Sequence, residues 1–436
     1  MARSAQIKLS DVATSRVNNL NFMRFVAALM VIVSHCYSVV LGGDAGSYLL
    51  KVTGDRLSPG GVSVGIFFLF GGFLIARSCE HYPEPKKFFS ARALRLFPEL
   101  LFVVILTAFV LGPILSTLSP AEYFTNPQTY KYLLNGVLIM VHQLPGVFTN
   151  NPSGDVVNAA LWTLPVEFVC YVLCFISYKL TKFDKKKFLL LSIPVFALAV
   201  VYYVKFSPLQ LSVVRAVLLF FLGVLIWVLR DHVTISSVLG LASIVLWFVM
   251  VFSGIDNLAM LTVFPIACFC LAYGMGNHFS TFGTKFELSY GIYLWAFPIQ
   301  QALAQYFPAW HPYVNALVAA LLATCRNTRI NKSYCGSSIC TSNLTNTNRS
   351  INLVTINSGE LCDGSGSVAH KVRNYNGAIC ASCKRVASVS LHGENTGLSK
   401  WRCWDTRSSN ICSSSLKSCT SNWIAICVND FNNNIA

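Results

Sequence analysis

The feature that most limits how this chain can fold is the length of its uncharged apolar runs. Leu100 to Leu118 and Phe188 to Val204 contain no Asp, Glu, Lys or Arg, and about 20 predominantly apolar residues let a helix cross the hydrocarbon core of a bilayer. Backbone groups in lipid have no water to bond, so runs of this kind are stable there as helices. With 54% hydrophobic and 12% charged residues, against about 25% charged in soluble domains, the chain has more apolar surface than one aqueous globule can bury. The expected fold is all-α, a polytopic membrane helix bundle of about ten spans. The most apolar stretches place them at 21–41, 61–77, 97–117, 160–179, 188–205, 211–229, 235–253, 257–275, 288–308 and 313–324, the last too short, with 131–141 read as a re-entrant piece.

The formal net charge of +15 does not point to nucleic acid, because the basic residues form short clusters between apolar runs rather than one basic domain. Arg3, Lys8 and Arg16 precede the first span, Lys86, Lys87, Arg92 and Arg95 follow the second, and Lys179, Lys182, Lys185, Lys186 and Lys187 follow the fourth. The opposite loops hold mainly Lys51, Arg56 and Lys131. By the positive-inside rule the N-terminus is expected in the cytoplasm. The first apolar run is of spanning length and lacks a small-residue cleavage site, so it is read as a retained helix rather than a signal peptide.

From about Cys325 the composition shifts to Ser, Asn, Thr and Cys with no sustained period of 3.6 or 2. Six of the sixteen cysteines precede residue 324 and ten follow it; the first six lie in apolar segments, where a thiol behaves as a small hydrophobe. Residues 1–324 are therefore read as the membrane domain and 325–436 as an irregular, disordered tail, the product of a reading-frame shift that interrupts the tenth span. A zinc site from Cys380, Cys383, Cys403 and His392 has no second tight cysteine pair to support it, and a disulfide module would face the reducing cytoplasm. No metal is expected.

Charged groups inside spans are the sharpest chemical signal, since each costs about 2.5–3.5 kcal/mol near a bilayer centre on insertion scales. Arg24 and His35 stand eleven residues apart in the first span, which at about 100° and 1.5 Å per residue returns them to nearly the same face roughly 16 Å apart. Arg24 reads either as a snorkelling cation at a helix end or as a ligand group, and His35 either as a core histidine or as a base. Glu167 sits about seven residues into the fourth span, roughly 10 Å deep, and His35 six residues from its own outer end, so the two depths match. A carboxylate beside an imidazole stabilises its protonated form, which suits a base that takes a proton from a hydroxyl; the alternative is an interhelical polar clasp. Arg92 and Arg95, three apart, share a helix face at the cytoplasmic mouth, where guanidinium groups bind phosphates by paired hydrogen bonds or simply anchor the helix end.

Taken in order, Arg24 with His35, Phe67-Phe-Leu-Phe-Gly-Gly72-Phe-Leu-Ile75, Arg92-x-x-Arg95, Leu161-Trp162-Thr-Leu-Pro-Val-Glu167 and Leu288-Ser-Tyr290-Gly-Ile-Tyr293-Leu-Trp295 resemble the successive signatures of the acyltransferase-3 family. The resemblance implies about ten helices and transfer of an acyl group, usually acetyl from cytoplasmic acetyl-CoA, to a glycan or lipid-linked sugar across a bacterial inner membrane. By the same resemblance His35 is the catalytic histidine with Glu167 its acidic partner. Arg24, Arg92 and Arg95 hold the donor, and Gly72, Trp162, Tyr290 and Tyr293 support the site. The chain departs from the pattern at Gly71, where serine is usual, at Ala296, where many members have histidine, and at the final helix, whose loss would remove activity. Two other readings stand beside it: a secondary transporter of a small polar solute, although the paired broken helices of inverted repeats are not seen, and a degenerate, inactive relative.

Overall fold

The computed structural model describes residues 6–15, 17–43, 47–205, 208–274, 276, 279–283 and 288–337, plus short strands further on; side chains at 200, 202–211 and beyond 324 are outside the description. Helix α1 spans Leu20–Leu41, α2 Pro59–His81, α3 Pro85–Leu106, α4 Thr163–Thr181 and α5 Lys185–Lys205. They are followed by α6 Pro208–Val228, α7 Ser237–Phe252, α8 Asp256–Phe269, α9 Ser289–Tyr306 and α10 Pro312–Ser337. Among the described residues five helical stretches are long and apolar enough to cross a membrane: Leu20–Leu41, Pro59–His81, Pro85–Leu115, Ala159–Thr181 and Asp256–Gly274. Three apolar helices, Ser212–Val228, Ser237–Phe252 and Pro312–Thr324, are shorter.

Local chemistry sets the ends. Ser58 accepts a hydrogen bond from the Gly61 N–H with Pro59 at the first helical position of α2, which satisfies a donor that no preceding turn can reach. α1 stops at Gly42, whose φ of +76° lets its N–H return to the Ser38 carbonyl. Bulky apolar side chains on α5 and α7, including Leu190, Ile193, Leu198, Leu241, Val245 and Val249, remain exposed; in water these would be a liability, and against lipid they are the natural surface.

The closest helix pairing is between α2 and α6, and glycine makes it possible. A Cβ on Gly72 would lie 1.8 Å from the Phe220 carbonyl oxygen, and one on Gly223 would lie 2.0 Å from that of Leu69, so the two backbones meet where neither carries a side chain. Gly72, expected to support the site, thus serves the packing of the helices that frame it. The described residues form three apolar clusters, two of them large. One gathers Phe70, Phe73, Phe220 and Phe269 around α2, α6 and α8, and the other gathers Val31, Leu100, Ile292 and Ala319 around α1, α3, α9 and α10. Phe67 packs against both, and the functional groups lie along that seam.

Between α3 and α4 the chain forms short turns in place of a span. A π-helical turn at Thr107–Leu111 ends α3, Ser119 and Glu122 close a capping box, and the 131–141 segment holds a 3-10 turn at Tyr132–Val137. Near the N-terminus, Ile7–Lys8 pairs antiparallel with Thr234–Ile235. The backbone of α10 continues through Thr324 to Ser337, so the helix itself does not stop where the apolar run ends. Beyond it the described residues form a sheet of short strands, Asn352–Val354, Ala387–Ser390, Arg402–Trp404, Ile411–Cys412 and Ala425–Cys427. The expected disorder of the tail, and a zinc cluster at Cys380, Cys383 and His392, fall on residues outside the description.

Candidate active site

One cavity of about 70 Å³ lies on the seam. Each wall is a single helix face read at three- and four-residue spacing: Val64, Phe67, Phe68, Gly71 and Ile75 from α2, Arg92, Arg95 and Leu96 from α3, Thr163, Leu164, Glu167 and Tyr171 from α4, and Ser289, Tyr290 and Tyr293 from α9. Arg24 of α1 completes it, with its guanidinium carbon 6.0 Å from the centre of the Phe67 ring. Three guanidinium groups and one carboxylate thus share a small space walled by aromatic rings. Charges concentrated at low dielectric attract a counter-charge far more strongly than they would in water, so the cavity favours an anion.

The polar groups are held from behind. The Tyr171 hydroxyl donates to the Glu167 carboxylate one helical turn away. Tyr290 donates to the Leu96 carbonyl at 2.9 Å and so ties α9 to α3. The Tyr293 hydroxyl donates to the Ala160 carbonyl and shares a 2.6 Å hydrogen bond with Thr163, which fixes the start of α4 against α9. The Nε of Arg92 is buried without a hydrogen-bond partner. An unmet buried N–H costs about 1–3 kcal/mol, more for a charged group, and a ligand oxygen there would recover that cost.

Of the residues singled out from the sequence, Arg24, Arg92, Arg95, Glu167, Tyr290 and Tyr293 line this cavity, while His35, Gly72 and Trp162 do not. Trp162 ends the 3-10 turn Ala159–Trp162 that leads into α4. His35 lies further along α1, its ring edge-on to Phe297 with centroids 5.1 Å apart. Phe297 is one turn beyond the cavity-lining Tyr293 on α9, while on α1 the imidazole stands eleven residues, roughly 16 Å along the axis, from the cavity-lining Arg24. The contacts described for Glu167 run to Tyr171 and the arginine-lined cavity, and the ring contact described for His35 is to Phe297 of α9. Matched depth therefore does not translate into a described contact between them.

Sequence reasoning passed over several residues. Asn158, which is buried, donates to the Leu294 carbonyl at 2.9 Å. That carbonyl has no helical partner because Pro298, four residues on, lacks an N–H. Gln300, also buried, donates to the Ile32 carbonyl of α1 at 2.9 Å. Uncharged amides within an apolar run were the available signal. The thiols of Cys36, Cys79, Cys170, Cys174, Cys268 and Cys270 are buried, and among the described residues no three His, Cys, Asp or Glu side chains cluster as a metal site would require.

Apolar helices closed around an internal cluster of charges define a membrane protein with a polar site inside the bundle. The chain belongs to the acyltransferase-3 family, whose Acyltransferase domain pattern matches residues 17–325, and it is an acyl-group transferase. It is 32% identical over 300 residues to an O-acetyl transferase of Shigella phage Sf6, covering 66% of this chain and 85% of that protein. It is 31% identical over 170 residues to Nodulation protein 10 of Rhizobium leguminosarum bv. viciae, covering 36% of this chain and 42% of that one. No solved structure matches it significantly.

Proposed function

We propose that the protein moves an acetyl group from cytoplasmic acetyl-CoA to a hydroxyl of a cell-surface or exported glycan, with α1 to α10 crossing the inner membrane and the N-terminus in the cytoplasm. The observation that carries the proposal is the convergence of Arg24, Arg92 and Arg95 on one cavity beside an unmet Arg92 N–H, in a chain similar to an O-acetyl transferase. The cluster suits the phosphates of a nucleotide-bearing donor, with Glu167 balancing part of its charge until the donor arrives. Phe67 and Tyr293, packed edge-to-face with ring centroids 5.9 Å apart, wall the cavity, and transfer requires the thioester arm to pass beyond that wall to reach His35.

His35 acts as general base. It accepts the proton of the acceptor hydroxyl as that oxygen bonds to the thioester carbonyl carbon. The carbon–sulfur bond then breaks, and the departing sulfur takes the proton from the imidazolium, leaving the glycan ester and free CoA. Residues 1–324 are the acyltransferase module in this reading and 325–436 lie outside it; the family match ending at 325, where the composition changes, supports that boundary.

The test is chemical analysis of surface polysaccharide from cells with and without the gene. Ester-linked acetyl that appears only with the gene supports the proposal, and identical acetyl content in both refutes it.

A further inference from the structure

A cavity that gathers guanidinium groups for an anion also holds their natural competitor. Arg92 and Glu167 line the same space of about 70 Å³, and at low dielectric a carboxylate is drawn strongly to a guanidinium. An ion pair between them would occupy the planar fork that donor phosphates need. Among the described residues, however, no ion pair joins Glu167 to Arg92, and the Arg92 Nε is buried with no hydrogen-bond partner. The carboxylate is held by another group.

That group is Tyr171, one turn further along α4, whose hydroxyl donates to the Glu167 carboxylate. At four-residue spacing the two side chains share a helix face, and both line the cavity. The ring that carries the hydroxyl is fixed, because Tyr171 is buried and packs against Phe220 of α6 with centroids 6.3 Å apart. The charges that act on Tyr171 are those of Glu167, Arg95 and Arg92, so its hydroxyl stands within reach of the carboxylate and of the arginines that would attract it. A phenol has one O–H to give, and here it goes to the carboxylate. A neutral donor of this kind satisfies the carboxylate without using up a guanidinium.

We propose that Tyr171 is the positioning residue of the donor site: its hydroxyl restrains the Glu167 carboxylate along the α4 face and so keeps the Arg92 fork open to the donor phosphates. The assignment rests on the reading of Arg92 as a ligand of those phosphates. Without the hydroxyl the carboxylate turns to Arg92 and competes with phosphate for the same N–H groups.

The experiment measures equilibrium binding of radiolabelled CoA to the purified full chain in detergent for the wild type, Tyr171→Phe, Glu167→Gln, the double variant and Arg92→Lys, with thermal unfolding of each. Phenylalanine keeps the ring and its packing and removes only the hydroxyl. Tyr171→Phe is expected to weaken CoA binding about 10-fold, the low end of what a hydrogen bond to a charged group is worth. Made in the Glu167→Gln background, the same change is expected to weaken binding less than about 2-fold, because a neutral amide does not compete for the guanidinium, and such non-additivity marks residues that act through one another. Wild-type affinity in Tyr171→Phe overturns the proposal. So does an equal loss in both backgrounds, with or without a lowered unfolding temperature, which marks a hydroxyl that touches the donor itself or only braces the helices. Arg92→Lys at wild-type affinity removes the donor reading, and this inference with it. Weakened binding in Arg92→Lys beside wild-type affinity in Tyr171→Phe removes only the inference.

Discussion

Pro298 and Asn158 make a pair whose coupling can be worked out from the structure. The proline leaves the Leu294 carbonyl without its helical donor, and the Asn158 amide supplies one at 2.9 Å. The same side chain also accepts from the Ala160 N–H at 3.1 Å, capping the turn into α4. Asn158→Leu loses both bonds: about 1 kcal/mol for the cap, and about 1–3 kcal/mol for a buried carbonyl left unmet. Pro298→Ala restores an N–H in line with Leu294, so in that background the leucine change should cost only the cap. The expected coupling is the carbonyl term alone, at the low end of its about 1–3 kcal/mol because interhelical hydrogen bonds in bilayers average about 0.6 and reach about 1.7 kcal/mol. Unfolding midpoints in detergent for the wild type, the two single variants and the double variant close the cycle. Strict additivity would show that the amide is not compensating for the proline.

Other outcomes follow from the same geometry. Arg92→Lys removes the planar fork that contacts phosphate pairwise, and should raise KM for acetyl-CoA about 10–100-fold, the equivalent of about 1.5–3 kcal/mol for a charge-assisted bond, with kcat largely kept; an unchanged KM would take Arg92 out of donor binding. Gly72→Ala drives a methyl group into the Phe220 carbonyl and should lower stability by about 1–3 kcal/mol, read as reduced yield and unfolding temperature; wild-type behaviour would mean α2 and α6 are not so closely packed. Glu122 accepts from the Ser119 hydroxyl and N–H, which holds its carboxyl below the ordinary range. With the folded-state value depressed, its contribution is present above about pH 4.3 and is lost as pH falls through the lower folded value. Amide exchange in the Pro120–Thr125 turn, corrected for intrinsic rates, should therefore quicken in acid for the wild type and show no such step in Glu122→Gln.

The sequence disclosed what the bilayer dictates. Runs such as Leu100 to Leu118 carry the helical pattern because lipid permits little else, and the arginines at 92 and 95 announced a shared face by their spacing. Arg24 and Glu167 stood out as charges inside spans, Tyr290 and Tyr293 through the family resemblance, and all four line one cavity. Neighbourhood between helices was not legible. Depth along the membrane normal follows from the helical rise, but rotation and adjacency depend on contacts such as Gly72 against Phe220 and Gly223 against Leu69, which join residues about 150 positions apart in the chain. Hence Glu167 and His35 matched in depth and yet have their described contacts elsewhere. Asn158 and Gln300 escaped notice because an uncharged amide in an apolar run has no meaning until the carbonyl it faces is known.

The central claim is that the acyl group passes through the bundle from one membrane face to the other by way of His35. Sealed vesicles given radiolabelled acetyl-CoA only on the cytoplasmic face test it directly, with the label counted in glycan on the opposite face. The account predicts labelled glycan with the wild type and none with His35→Ala at equal protein level. Equal labelling by both proteins, or label confined to the face that received the donor, would contradict it.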